Sequence, residues 1–176
     1  DEAILMGVIK DELTVIKNKY SDEHAEAISG FLLYLKERRH ENLVNMLQQM
    51  SRIPFKNPKN FANYDFSRIN GKNVDELKKL SSLSSLYAHK NLAFIGPQGV
   101  GKTHLATAIG IEAASQRIST YFINFAQLME KFKRAAKENR VEQVVKHYLK
   151  YTVLIIDEIG YLPVDKAAAY GFFQLI

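Results

Sequence analysis

The sequence predicts an α/β fold: a parallel sheet flanked by helices, preceded by a helical N-terminal region. Three observations predict it. Short apolar runs at Asn91–Ile95, Thr120–Asn124 and Val153–Asp157 alternate with helix-period segments, the order that gives parallel strands joined by right-handed crossovers. The first run leads into a glycine-rich segment, Gly96 to Thr103, that opens a helix. The third run ends in two adjacent acids, Asp157 and Glu158, where an open α/β sheet presents its ligand-facing strand ends.

The first fifty or so residues read as helical. Ile9, Leu13, Ile16 and Tyr20 recur at helical spacing, and Ser21 stands as an N-cap before Asp22 and Glu23. Ile28, Phe31, Leu32, Leu35, Leu43, Leu47 and Met50 then form an apolar stripe, the mark of a core or partner-helix face. The basic cluster from Lys36 to His40 reads as a solvated face, with DNA contact as the alternative.

Residues 52–68 read as a linker, broken by Pro54, Pro58 and several Asn. Its aromatics (Phe55, Phe61, Tyr64, Phe66) need a surface, so the segment is expected to pack on the domain that follows. The expected division is therefore a helical region over 1–51, the linker over 52–68 and an α/β domain over 69–176. Asp75 to Leu83 reads as a helix, and Ser82 to Ser85 as a bend.

His104 to Ser115 follows the glycine segment as a helix, with Leu105, Ala108, Ile109 and Ala113 near helical spacing. Thr120–Asn124 is the second strand. Leu128, Phe132 and Ala135 form one face of the next helix, and Lys133, Lys137 and Arg140 lie on another. Val141, Val144, Val145, Tyr148 and Leu149 give a further apolar stripe. Val153 to Ile156, mostly β-branched, makes a strand buried on both faces. Gly160 and Pro163 end it, and a last helix begins near Ala167.

Composition sets the outer limits. The chain has 176 residues, 47% hydrophobic and 24% charged, ordinary values for a globular protein. No apolar run reaches membrane-spanning length and no secretory signal is visible, so a cytoplasmic protein is expected. Cysteine is absent, which excludes disulfides and Cys-ligated zinc or iron–sulfur centres. The five histidines lack metal-ligand spacing. The formal charge is +5, and it is concentrated: residues 131–150 hold seven Lys/Arg against two Glu. That excess suits an anionic partner such as DNA; a solvated helix face is the alternative.

The chemistry lies in the two motifs. Gly96-Pro97-Gln98-Gly99-Val100-Gly101-Lys102-Thr103 fits G-x-x-x-x-G-K-[ST]. The glycines let backbone N–H groups turn inward toward phosphate oxygens. Lys102 brings a mobile charge to the β- and γ-phosphates, Thr103 offers a hydroxyl to Mg²⁺, and the following helix points its positive end at the anion. Asp157 is the second candidate for Mg²⁺. Glu158 is placed to polarise an attacking water as general base. A small-molecule kinase shares the loop, but no acceptor-binding pattern is visible. A nucleotide-binding scaffold without turnover is the other alternative.

GPQGVGKTH (Gly96 to His104) with Leu105-Ala106, and DEIGYLP (Asp157 to Pro163), resemble the IstB-like ATPases, the AAA+ helpers of insertion-sequence transposition. Phe172 to Ile176 and the linker elements Ile53-Pro54-Phe55 and Tyr64-Asp65-Phe66 are similar to the family's as well. The resemblance implies an ATP-hydrolysing, DNA-binding protein that assembles as an oligomer on target DNA and regulates a transposase. It implies ATP and Mg²⁺ at Gly96 to His104, Thr103 and Asp157, with Lys102 and Glu158 catalytic. It also implies DNA contacts on the basic helix at Lys133, Arg134, Lys137 and Arg140. Phe61 and Tyr64 resemble a segment lining the adenine side in relatives, with simple packing as the alternative. A DnaC-like replicative helicase loader shares both motifs and is the competing member of the same branch; the Gly160 to Pro163 tail and the lack of a Cys module favour IstB.

One departure stands out. The family's strand order places a strand between the phosphate-loop strand and the acid-bearing strand, and no such strand follows Asp157 here. The sequence is therefore expected to be part of a longer protein, truncated before the sensor and lid regions, and to bind and hydrolyse nucleotide poorly by itself. Asp1 at the start, with Met6 inside, suggests that the first residues are not native.

Overall fold

Alternation decides how the sheet is built. In the computed structural model, which describes residues 18–19, 21–54, 57, 59–69, 74–160 and 166–176, two strands pair in parallel. They are β1 (Thr120–Asn124) and β2 (Val153–Asp157), registered from Thr120 opposite Val153 to Asn124 opposite Asp157. Side chains along each strand alternate between the sheet faces. Tyr121 and Ile123 enter one core with Leu154 and Ile156 against it, while Val153 and Ile155 enter the other with Phe122 beside them. Both faces are covered, as the near-continuous apolar run of β2 predicts.

Helices supply the covers. α1 (Asp22–Ser51) precedes the linker. α2 (Val74–Lys79) runs through a 3₁₀ turn at Leu80–Ser82 into the short α3 (Ser84–Tyr87). α4 (Lys102–Ser115) lies on the face of Val153 and Ile155, and Gly110 lets it come close. A Cβ there would stand 2.6 Å from Ile155 Cδ1 and 2.7 Å from Ile53 Cδ1. α5 (Phe125–Lys137), α6 (Val141–Tyr148) and α7 (Lys166–Phe173) cover the opposite face. There Phe125, Leu128, Met129, Phe132, Val145, Tyr148 and Ala168 pack with Tyr121 and Ile123.

The chain divides into two compact units, one up to Asn45 and one from Met46. In the first, Ile28, Leu32 and Leu35 of α1 are half-buried while Phe31 of the same stripe is open to solvent. In the second, α1 ends at Ser51, whose hydroxyl donates to the Gln48 carbonyl and accepts from the Ile53 N–H. Arg52 then turns left-handed (φ 57°), a common way to stop a helix.

Two expectations need correction. Asn91–Ile95 is not a strand: it forms no regular element, and no described residue pairs with it in a sheet. Ile95 is 95% exposed, and only Phe94 packs against the α4-side core. An apolar run becomes a strand when a neighbour takes its N–H and C=O groups. β2 pairs with β1 instead. The helix read over Asp75 to Leu83 is also broken early. Leu83 adopts φ 55° and buries its side chain almost completely, and the expected bend after it is the short helix α3. Ile9, Leu13, Ile16, Tyr20, Phe55, Pro58 and Tyr161 to Pro163 lie outside the described residues.

Candidate functional site

Gly96 to Thr103 forms an exposed turn that enters α4. Gly99 (φ 81°) and Gly101 (φ 88°) supply the left-handed conformations that side chains resist. Pro97, Gln98 and Val100 are exposed. The Lys102 ammonium folds back over the loop, donating to the Gly96 carbonyl at 2.8 Å and the Pro97 carbonyl at 2.6 Å. Its charge is therefore held at the loop.

The paired acids reach the same place. Thr103 Oγ1 donates to Asp157 Oδ1 at 3.0 Å, across 54 positions of sequence. The Glu158 N–H donates to that same carboxylate oxygen at 3.0 Å. Asp157 is partly buried at the end of β2, and Glu158 is exposed just beyond it. Glu158 turns left-handed (φ 60°), a conformation uncommon for a residue with a side chain.

A residue that the sequence reading did not single out completes this side. Asn124 ends β1 opposite Asp157. Its Oδ1 caps α5 by accepting from the Ala126 N–H at 2.8 Å, and its side-chain amide donates to Glu158 Oε2. Asn before a helix is a legible cap; its bond to Glu158 follows only from the strand register.

The linker meets the loop from another side. Tyr64 Oη donates to the Val100 carbonyl at 2.9 Å. His104 Nε2, facing a carbonyl that can only accept, donates to Asn60 O at 2.8 Å. Tyr64 stands edge-on to His104 and to Phe66, with ring centroids 5.1 and 4.8 Å apart. Burial, and then the Asp65 carboxylate, push the Tyr64 phenol above its ordinary value of 10.0. Phe61 packs against the α4-side core. The expected packing of the linker aromatics on the domain that follows is thus observed for Phe61 and Tyr64, while Phe66 packs on Tyr64 within the linker.

The basic residues belong to another element, α5, and the turn after it. Lys133, Arg134, Lys137 and Arg140 are all exposed on or just after α5. Arg134 pairs with Glu138 at 3.4 Å, and Arg140 pairs with the same carboxylate. Lys133 and Lys137 project from the α5 surface beside them. No cluster of His, Cys, Asp and Glu suited to a metal occurs among the described residues. No described helix is long and apolar enough to cross a membrane.

The sequence has relatives among known proteins. A protein named for ATP binding and for insertion sequence IS232, from Bacillus thuringiensis subsp. berliner, is 47% identical over 138 residues, 78% of this chain and 54% of the relative. The corresponding IS5376 protein of Geobacillus stearothermophilus is 35% identical over 162 residues, covering 90% and 64%. The IS21 protein of Pseudomonas aeruginosa is 33% identical over 138 residues, covering 78% and 51%. The chain thus spans between half and two thirds of the length of these curated relatives. A family model described as IstB-like ATP binding protein matches residues 12–176, and the chain belongs to that family.

Proposed function

We propose that this chain is the ATP-binding and ATP-hydrolysing part of an AAA+ helper of transposition. In this reading the protein binds target DNA as a homo-oligomer in the cytoplasm and regulates a transposase. The observation that carries the reading is the Thr103–Asp157 contact at 3.0 Å. It brings the helix-opening hydroxyl and the strand-end carboxylate to one point, as a P-loop nucleotide site requires.

The residues fit ATP and Mg²⁺. The hydroxyl of Thr103 and the carboxylate of Asp157 are hard oxygen donors already converged, the type that magnesium prefers. Bound Mg²⁺ supplies charge neutralisation on the β- and γ-phosphates. Gly96, Gly99 and Gly101 shape the loop, and Pro97, Gln98 and Val100 complete it. Lys102 exchanges its carbonyl partners for phosphate oxygens, which form stronger, charge-assisted bonds. His104 holds the first turn of α4. Glu158 takes the proton of the attacking water, and Asn124, bonded to one carboxylate oxygen, orients it.

Two variants test the reading. Lys102→Ala is expected to lose nucleotide binding, measured with a fluorescent ATP analogue. Glu158→Gln is expected to keep binding while phosphate release falls by about 100-fold or more. Wild-type behaviour in both would sink the reading. DNA contact has its own test. Reversing Lys133, Lys137 and Arg140 to Glu should weaken DNA binding for every sequence and flatten its salt dependence. Unchanged binding would remove α5 from the interface. Capture of a transposase by the tagged full-length protein tests the partner.

A further inference from the structure

We propose that Tyr64 is a positioning residue for the phosphate loop: by holding the Val100 carbonyl, it aims the Gly101 N–H of the same peptide at the phosphate. The inference rests on the nucleotide-site reading above. In a trans peptide the C=O and the following N–H point in opposite directions. The Tyr64 hydroxyl bonds the Val100 carbonyl at 2.9 Å, so the Gly101 N–H points away from Tyr64. Freed of that bond, the peptide between Val100 and Gly101 can turn over, because a glycine on one side resists little.

The surroundings favour this role over simple packing. Gly101 lies directly against the Tyr64 ring: a Cβ at Gly101 would stand 2.6 Å from Tyr64 Cε2 and 3.1 Å from its oxygen. Both its φ of 88° and this contact require glycine. The strap that carries Tyr64 is braced. Asn60 Oδ1 accepts from the Asn63 N–H at 2.9 Å, the Tyr64 N–H reaches the Phe61 carbonyl at 3.3 Å, and the Asn60 carbonyl takes the His104 Nε2–H at 2.8 Å. The strap therefore grips the loop at Val100 and, one residue past Thr103, at His104. Such bracing keeps an anion-binding turn in its binding shape before the ligand arrives, so less ordering is left to binding.

Tyr64→Phe removes the hydroxyl and keeps the ring, so the fold is retained. Three readings are taken on wild type and variant: affinity for a fluorescent ATP analogue with Mg²⁺, the nucleotide-free melting midpoint, and the Gly101 amide signal in ¹⁵N-glycine-labelled protein. With nine glycines in the chain, that spectrum is sparse enough to follow one residue. The expected result is an affinity about fivefold weaker, a loss of pre-ordering comparable to one ordinary hydrogen bond, with a midpoint that moves little because the bond is exposed, and a displaced nucleotide-free Gly101 signal. Equal affinities overturn the proposal. So does an affinity loss matched by a fall in the midpoint, which would assign Tyr64 to folding alone. If the wild-type full-length protein takes up no nucleotide, the nucleotide-site reading fails. The Gly101 signal in nucleotide-free protein still decides on Tyr64, and identical signals in the two proteins overturn its role.

Discussion

Asn91–Ile95 and Val153–Asp157 look alike as sequence, five-residue segments with four apolar residues each that adjoin a functional segment. They behave differently. Val153–Asp157 is a strand, locked to β1 through five residue pairs, with Val153 and Ile155 buried. Asn91–Ile95 has no ladder partner among the described residues, and Ile95 and Leu92 are 95% and 39% exposed. The acids at Asp157 and Glu158 are thus delivered by the strand that precedes them. The loop at Gly96 to Thr103 is held from behind, by α4 and by the linker through Tyr64 and His104. Apolarity creates the demand for a strand; a partner decides whether it is met.

The largest expected effect tests that contrast directly. Ile155→Ala should cost about 2–4 kcal/mol in denaturant unfolding, because a cavity would open where Ile155 meets α4 at Gly110. Ile95→Ala should change stability by no more than about 0.5 kcal/mol, as for other solvent-facing sites. Equal losses would mean that Ile95 is covered in solution, and the contrast would fall.

A smaller effect is expected where β1 meets the acids. Asn124→Ala removes both the α5 cap and the donor to Glu158. It should destabilise the chain by about 1 kcal/mol, the usual value of a lost cap. Asn124→Asp separates the two roles: the cap oxygen stays, the amide donor goes, and a second carboxylate faces Glu158. Near-wild-type unfolding with slower phosphate release in Asn124→Asp is the expected result. Normal release would show that Glu158 needs no support from β1.

Much of this was legible in the sequence, for identifiable reasons. Short apolar runs and helical spacing located β1, β2, α4 and the buried face of α5 at Leu128, Phe132 and Ala135. Spacing also marked the loop and the acid pair, since both are defined by local order. What escaped depends on distant parts of the chain. The link between Asn124 and Glu158 needs the register that sets Asn124 opposite Asp157. The grip of Tyr64 on Val100 spans 36 positions, and its aromatic character announced only that it would pack. Leu83 ends a helix early because its side chain is needed in the core, a requirement invisible in local propensity.

The smallest effect lies at the opposite end of the sheet, where the pairing of β1 with β2 begins. The ladder is extended there by the Val153 N–H to Ser119 O and by the Thr152 N–H to Ser119 Oγ, each at 3.0 Å. Beside it, His147 stands edge-on to Tyr121, Tyr148 and Tyr151. Burial first, then the charges of Lys131, Lys150 and Arg52, lower its pKa below the ordinary 6.5. A lowered histidine binds fewer protons folded than unfolded. Its contribution is therefore complete above pH 6.5 and is lost as pH falls through the lowered value. His147→Phe keeps a ring in place and removes the titration. Its unfolding midpoint should fall less than that of wild type between pH 7.5 and pH 5, a window of about two and a half units around the ordinary histidine value. Because His147 is exposed, the difference should be small beside that of Ile155→Ala. Parallel pH curves for the two proteins would show that this end of the ladder is insensitive to the charge beside it, and that β2 owes its stability to the buried side chains alone.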